Sequence, residues 1–217
     1  YTPERGFETI KGPIFANFVI ADEINRSPPK TQSALIESMQ EKQVTIAKET
    51  YKLPLPFFVM ATDNPLESSG VYDLPEAQVD RFMFKLIIDY PKKQESKEII
   101  ERMTTGRKFD IKKIISPKEI LKIQDFVKNI YCDEKIVEYV SDIVDATKNP
   151  AEYNLKLEGL IEYGASPRAL IWLIMGSKAN ALLNGRGYVI PEDIQDVCHE
   201  VLRHRILLTY EAEAEGI

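Results

Sequence analysis

The sequence predicts an α/β protein: a partial core built on a mostly parallel sheet, followed by an all-α region. Three observations carry this. Two short apolar runs, Phe18-Val19-Ile20-Ala21 and Phe57-Phe58-Val59-Met60-Ala61, lack polar alternation, as strands buried on both faces of a parallel sheet do. Each run stops on short polar or acidic residues, where a strand meets a loop. After Pro91 turn signals thin out and a helical period takes over.

The first run ends in Asp22-Glu23. Open α/β sheets bind ligands just beyond the carboxyl ends of their strands. Two carboxylates there suit Mg²⁺ and a water in a nucleotide-hydrolysing site; an acidic strand end with no further role is the competing reading. Pro28-Pro29 permits a helix start, and residues 31–39 carry Ala34, Leu35 and Met39 at helical spacing. Gln43-Val44-Thr45-Ile46 and Thr50-Tyr51-Lys52-Leu53 flank Ala47-Lys48-Glu49, a hairpin pattern. The second apolar run closes on Thr62-Asp63-Asn64-Pro65, and Pro65 biases Asn64 toward extended backbone. If the two strands are neighbours, Asn64 lies near Asp22 and Glu23. A neutral amide there orients a water without competing for a metal; read alone, Asn-Pro is a turn signal. Residues 74–82 place a proline before a short helical stretch ending in Asp80-Arg81-Phe82. Arg81 is either a surface charge or an arginine finger presented to a neighbouring subunit's phosphates. Residues 84–88 read as the last core strand, ended by Tyr90-Pro91.

Residues 92–103 are highly charged and read as a solvated helix face. Ile136, Val140, Ile143, Val144 and Thr147 make an amphipathic stripe that Asn149-Pro150 stops. In Gly164-Ala165-Ser166-Pro167-Arg168, Ser166 reads as an N-cap with Pro167 at the first helical position. Arg168 then opposes the helix dipole in the first turn, which points to an anionic partner or to a surface salt bridge. Leu170, Ile171, Ile174, Ala181 and Leu182 continue as a stripe. Pro191-Glu192-Asp193 opens the last helix, with Ile194, Val197, Cys198, Val201 and Leu202 on its apolar side. Residues 211–215 either continue that helix or fray. The expected division is a core over 1–91 and a helical region over 92–217.

Composition narrows the function classes. Lys+Arg number 28 against 34 Asp+Glu, a net charge of −6, which argues against an extended nucleic-acid face. The two cysteines, Cys132 and Cys198, lie far apart with no C-x-x-C, as in a reducing cytoplasm. No signal peptide and no long apolar span is present, so nothing points to membrane insertion. His199 and His204 fall on one expected helix at a spacing that separates them onto different faces, unlike an i,i+4 metal pair.

Four segments in one order, GPIFANFVIADEINRSPPKTQSALIESMQEKQVTI, LPFFVMATDNP, LPEAQVDRFMF and GASPRA, resemble the MoxR family of AAA+ ATPases. The resemblance implies a P-loop NTPase core with a helical lid. It also implies that Asp22 and Glu23 are the Walker B pair, Asn64 sensor 1, Arg81 the arginine finger and Arg168 sensor 2. In those roles Asp22 and Glu23 serve the metal, Asp22, Glu23, Asn64 and Arg168 serve the nucleotide, and Glu23, Asn64 and Arg81 serve catalysis. ATP and Mg²⁺ are the implied cofactors. A ring, a hexamer by family analogy, with a client protein and a von Willebrand factor A-domain partner completes the implied setting. The hairpin over 43–53 would face the ring's pore.

One departure from the family is plain. No G-x-x-x-x-G-K-[ST] loop occurs among the ten glycines. The expectation is therefore a piece of a longer chain, inactive by itself, whose first dozen residues end a hairpin insert. A magnesium-chelatase type of AAA+ subunit and a non-catalytic scaffold that donates Arg81 are the alternative readings.

Overall fold

The two apolar runs become neighbouring strands. β1 (Phe18–Ala21) and β4 (Phe58–Ala61) run parallel, with Phe18 opposite Phe58 and Ala21 opposite Ala61. The computed structural model describes residues 10–46, 48–65, 70–106 and 111–216. The expected end of the hairpin insert over 1–12 lies almost wholly outside these.

One face of the pair is inside. Val59 is buried with Leu53 and Phe57, and Val19, Phe15, Leu35, Met39 and Val44 pack onto them. The other face carries Phe18, Ile20, Phe58 and Met60, all half or more exposed. The expectation of burial on both faces therefore holds for one only, because among the described residues no second layer covers the outer side. Val19 and Val59 face the core while their neighbours alternate outward, as the pleat requires.

The core layer is α1 (Pro29–Glu41), which starts with Pro29 at its first position and stops at Lys42 in the left-handed region (φ 54°). Its buried residues are Gln32, Ile36 and Ser38; Ala34, expected inside, is exposed. Gln32 is inside because its side-chain amide donates to the carbonyls of Ile24 (3.2 Å) and Tyr72 (2.8 Å), tying two loops to the helix. The expected hairpin is present as β2 (Gln43–Ile46) paired antiparallel with β3 (Glu49–Lys52). A short helix, α2 (Glu76–Val79), follows Pro75 and delivers Asp80 and Arg81.

Residues 84–90 form no strand, contrary to expectation. A strand needs a partner for its backbone groups, and among the described residues none pairs with this run. The Lys85 N–H instead donates to the Glu200 carbonyl at 2.9 Å, so the segment docks on a helix. Leu86, Ile87 and Ile88 stay exposed.

The remainder is helical: α3 (Lys93–Thr104), α4 (Pro117–Lys128), α5 (Glu134–Ala146), α6 (Pro167–Leu183), α7 (Pro191–Leu202) and α8 (Tyr210–Glu215). Ser116 and Glu119 form a capping box at the start of α4. Val140, Val144, Ala169, Leu173, Ile194 and Val201 form the centre of this part's core. On α6 the buried positions are Ala169, Leu173, Gly176, Ser177 and Ala181; of the expected stripe Ala181 is buried, Leu170, Ile174 and Leu182 pack against the core, and Ile171 is exposed. The helix is apolar on several sides, so the sequence pattern alone did not select the buried one. Gly176 lets Met83 and Phe84 come close to the helix.

Between α6 and α7, Asp193 is 1% exposed and takes both Arg186 Nη atoms (2.7 and 2.6 Å), Asn180 and the Ile190 N–H. The Arg186 hydrogen bonds outweigh burial and hold its carboxyl below the usual range. Three features were not expected. A small antiparallel pair joins β5 (Ile161–Tyr163) to β6 (Leu207–Leu208). Residues 210–215 form a separate helix rather than a continuation of α7. His204 lies beyond the end of α7 and is buried, so the two histidines do not share a helix.

Candidate functional site

The parallel register brings the ends of β1 and β4 together, and the side chain that bridges them is Thr62. Its hydroxyl donates to Asp22 Oδ1 at 2.6 Å and accepts the Glu23 N–H at 2.8 Å. Immediately after, the Ile24 N–H donates to the Thr62 carbonyl at 3.0 Å. One residue just past β4 therefore holds the Asp22 carboxylate and the Glu23 backbone together.

Glu23 occupies the left-handed region (φ 49°, ψ 57°). For a residue with a Cβ this costs about 1–2 kcal/mol, and such outliers gather at functional sites. It turns the chain sharply out of β1 into a 3₁₀ turn over Ile24–Arg26, where Ile24 and Asn25 are buried. The Glu23 carboxylate pairs with Arg26 Nε at 3.0 Å. Asn25 receives the Tyr72 N–H at 2.6 Å on its carbonyl, and its side-chain amide reaches the Asn64 carbonyl at 3.5 Å. Asn64 thus lies in the loop adjoining Asp22 and Glu23, where the neighbouring strands were expected to bring it. Asp22 is exposed at the carboxyl end of its strand.

Arg81 and Arg168 sit elsewhere. Arg81 Nη1 donates to Gln40 Oε1 on α1 at 2.7 Å. Arg168 Nη1 donates to Asp80 Oδ2 at 2.7 Å, across 88 residues of chain. Neither makes a hydrogen bond or ion pair with Asp22 or Glu23 among the described residues. The anionic partner expected for Arg168 is thus, in this structure, a carboxylate of the same chain.

Asp80 is the hub of this second cluster. Ser166 Oγ donates to its Oδ1 at 2.7 Å, and Arg205 Nε lies 3.0 Å from the same oxygen. Burial alone would raise the Asp80 pKa; the Ser166 and Arg168 hydrogen bonds and the Arg205 charge outweigh it and keep the carboxyl below its usual range. The Arg205 side chain is fully buried. Its Nη2 donates to the carbonyls of Asp80 (2.8 Å) and Phe82 (2.6 Å), and Nη1 bonds the Val201 carbonyl. The same Nη1 faces His204 Nε2 at 2.7 Å. That ring nitrogen also lies 3.2 Å from the Phe82 carbonyl. Burial, and then the Arg205 charge, push His204 down to about 4.

Residues 2–84 match the ATPase family associated with various cellular activities (AAA), and residues 157–217 match the AAA lid domain. Chaperone MoxR1 of Mycobacterium tuberculosis is 46% identical over 212 residues, covering 97% of this chain and 56% of its own length. A crystallised protein from Cytophaga hutchinsonii, named as a candidate ATPase, is 50% identical with a TM-score of 0.93, covering all of this chain and 67% of its own. The chain belongs to the MoxR family of AAA+ ATPases. An uncharacterised Bacillus subtilis protein is 43% identical over 212 residues, covering 97% of this chain and 64% of its own length. The chain thus spans between about half and two thirds of the curated relatives it matches.

Near the ends of β1 and β4, sequence reasoning named Asp22, Glu23 and Asn64 as candidates but gave no role to Thr62, which lay in view in Ala61-Thr62-Asp63-Asn64. At the junction with the lid it found Arg81 and Arg168 but missed Asp80 and Arg205. Asp80 adjoins Arg81 in sequence; Arg205 carried no signal, since only the fold brings it back 125 residues to Asp80.

Proposed function

We propose that this chain is part of an ATP-hydrolysing, ring-forming MoxR-type chaperone that remodels client proteins, with a core over 1–91 and a lid from 92 onward. The observation that carries the reading is the Thr62 bridge, which ties the Asp22 carboxylate to the Glu23 N–H at the carboxyl end of a parallel strand, with Glu23 in strained backbone. Asp22 and Glu23 fit the Walker B roles, Asn64 sensor 1, Arg81 an arginine finger reaching a neighbouring subunit, and Arg168 sensor 2.

The donor set fits Mg²⁺. That ion keeps several waters and is commonly held by one or two carboxylates plus substrate phosphates. Asp22 would hold it, and Mg²⁺ would supply charge neutralisation at the phosphates. No cluster of three or more His, Cys, Asp or Glu occurs among the described residues, which suits a hydrated ion better than an all-protein cage. The phosphate cradle and its lysine belong to a G-x-x-x-x-G-K-[ST] loop, which this sequence does not contain. The activity is therefore assigned to the protein at its relatives' full length.

Within that assembly Glu23 takes the proton of the attacking water, which requires hydrogen-bond reach and a free carboxylate oxygen. The Arg26 guanidinium, 3.0 Å away, aims it. Asn64 orients the same water. Arg81 neutralises charge developing on the neighbour's phosphates, a role worth roughly 10³–10⁵ in rate. Among the described residues no helix is long and apolar enough to cross a membrane, and the proposed setting is the cytoplasm. A von Willebrand factor A-domain partner and a hexameric ring belong to the same proposal.

The test is Glu23→Gln in the full-length protein. ATP stays bound and steady-state turnover falls by roughly 10²-fold or more. Turnover near the wild-type rate rejects the general-base role of Glu23.

A further inference from the structure

Asp80 has three side-chain partners, and they are not equivalent. Oδ1 is shared by Ser166 (2.7 Å) and Arg205 (3.0 Å), while Oδ2 is held by Arg168 (2.7 Å). Arg205 is inaccessible to solvent and anchored to the backbone carbonyls of Asp80, Phe82 and Val201. Moving it would strip a buried charge of every partner, which is strongly unfavourable. The Arg168 side chain is 41% exposed. Apart from its ion pair, its guanidinium has, among the described residues, no anchor comparable with that of Arg205.

We propose that Asp80 is a positioning residue with one permanent and one exchangeable arginine: Arg205 stays, and Arg168 leaves Asp80 for the phosphates of a bound nucleotide. The proposal rests on the reading of Arg168 as the lid's nucleotide-sensing arginine. Its physical basis is that departure of Arg168 strands no charge. Asp80 keeps Arg205 and Ser166 on Oδ1, and its side chain is 15% exposed. The exchange therefore costs little more than a partly exposed ion pair. Asp80 competes with phosphate for Arg168 and lowers nucleotide affinity by the strength of that pair. Because Arg81 follows Asp80 directly, the same residue joins the lid arginine to the segment bearing the finger.

The test is a double-mutant cycle in the full-length protein, reading the Kd of a fluorescent ATP analogue with Mg²⁺. Asp80→Asn keeps the shape and the Ser166 contact while removing the charge. It is expected to tighten binding by roughly two- to fivefold, the range of a partly exposed ion pair. In an Arg168→Ala background the same change has no effect. Asp80→Glu is the second variant if Asp80→Asn fails to fold; it keeps a charge for Arg205 and gives a smaller tightening that likewise requires Arg168. Weaker or unchanged binding in the Asp80 variants, or tightening that persists without Arg168, overturns the exchange while leaving the sensing role of Arg168 standing. If Arg168→Ala alone does not weaken binding, the sensing role itself fails, and the exchange with it.

Discussion

At the scale of single residues, Thr62 does the most with the fewest atoms. One hydroxyl fixes the backbone of Glu23 and the carboxylate of Asp22. Thr62→Val preserves shape and β-branching and deletes only that hydroxyl. It is expected to destabilise the described core by about 1 kcal/mol, the usual contribution of one such hydrogen bond. The specific signature is faster hydrogen exchange at the Glu23 amide, measured by NMR. Unchanged protection at that amide would mean that the left-handed turn is held by other contacts.

At the scale of elements, the joint between the core and the lid depends on Arg205, which lies just past α7, more than on any helix face. It ties the end of α2 to the end of α7 through the carbonyls of Asp80 and Phe82. The two arginines on Asp80 should therefore differ sharply on truncation. Arg205→Ala leaves buried carbonyls unpaired and an ion pair broken, and is expected to cost about 3–5 kcal/mol. Arg168→Ala removes a partly exposed pair and is expected to cost about 1 kcal/mol or less. Urea melts of the two variants check the ranking; equal losses would place the anchoring elsewhere. The docking of 84–90 follows the same logic, since the Lys85 N–H finds the Glu200 carbonyl on α7 when no strand among the described residues pairs with it.

At the scale of the whole molecule, pH reports on the same junction. Burial, and then the Arg205 charge, push His204 in the fold down to about 4 from the ordinary 6.5. Between those values the unfolded chain binds the proton and the native chain does not, so stability falls as pH falls. The loss from this group approaches about 3 kcal/mol across the window. Asp80 and Asp193, whose carboxyls are held below the usual range, add to the loss only when the pH drops below about 3.8. His204→Gln is expected to flatten the dependence of Tm on pH between 6.5 and 4, measured by calorimetry. A slope unchanged by this substitution would assign the acid sensitivity to another group.

How much of this was legible in the sequence divides by the range of the interaction concerned. Local rules act over a few residues. They were enough for β1, β4, the hairpin, the Ser166 cap with Pro167, and the acidic pair that ends β1. The adjacency of Asn64 to Asp22 and Glu23 was conditional on strand order, which the parallel register decided. Residues 84–88 have the composition of a strand, yet strand formation needs a partner, and composition carries no information about partners. The centre of the buried side of α6, at Leu173 and Ser177, was likewise not selected by pattern, because an apolar helix offers several faces and packing selects one. Sequence by itself determined the chain's local elements, its candidate carboxylates and its family resemblance, since these reside in short stretches of residues. Only the tertiary structure decided that Thr62 bridges the two acids and that Asp80 gathers Ser166, Arg168 and Arg205, because a buried charge finds its partners across the fold and not along the chain.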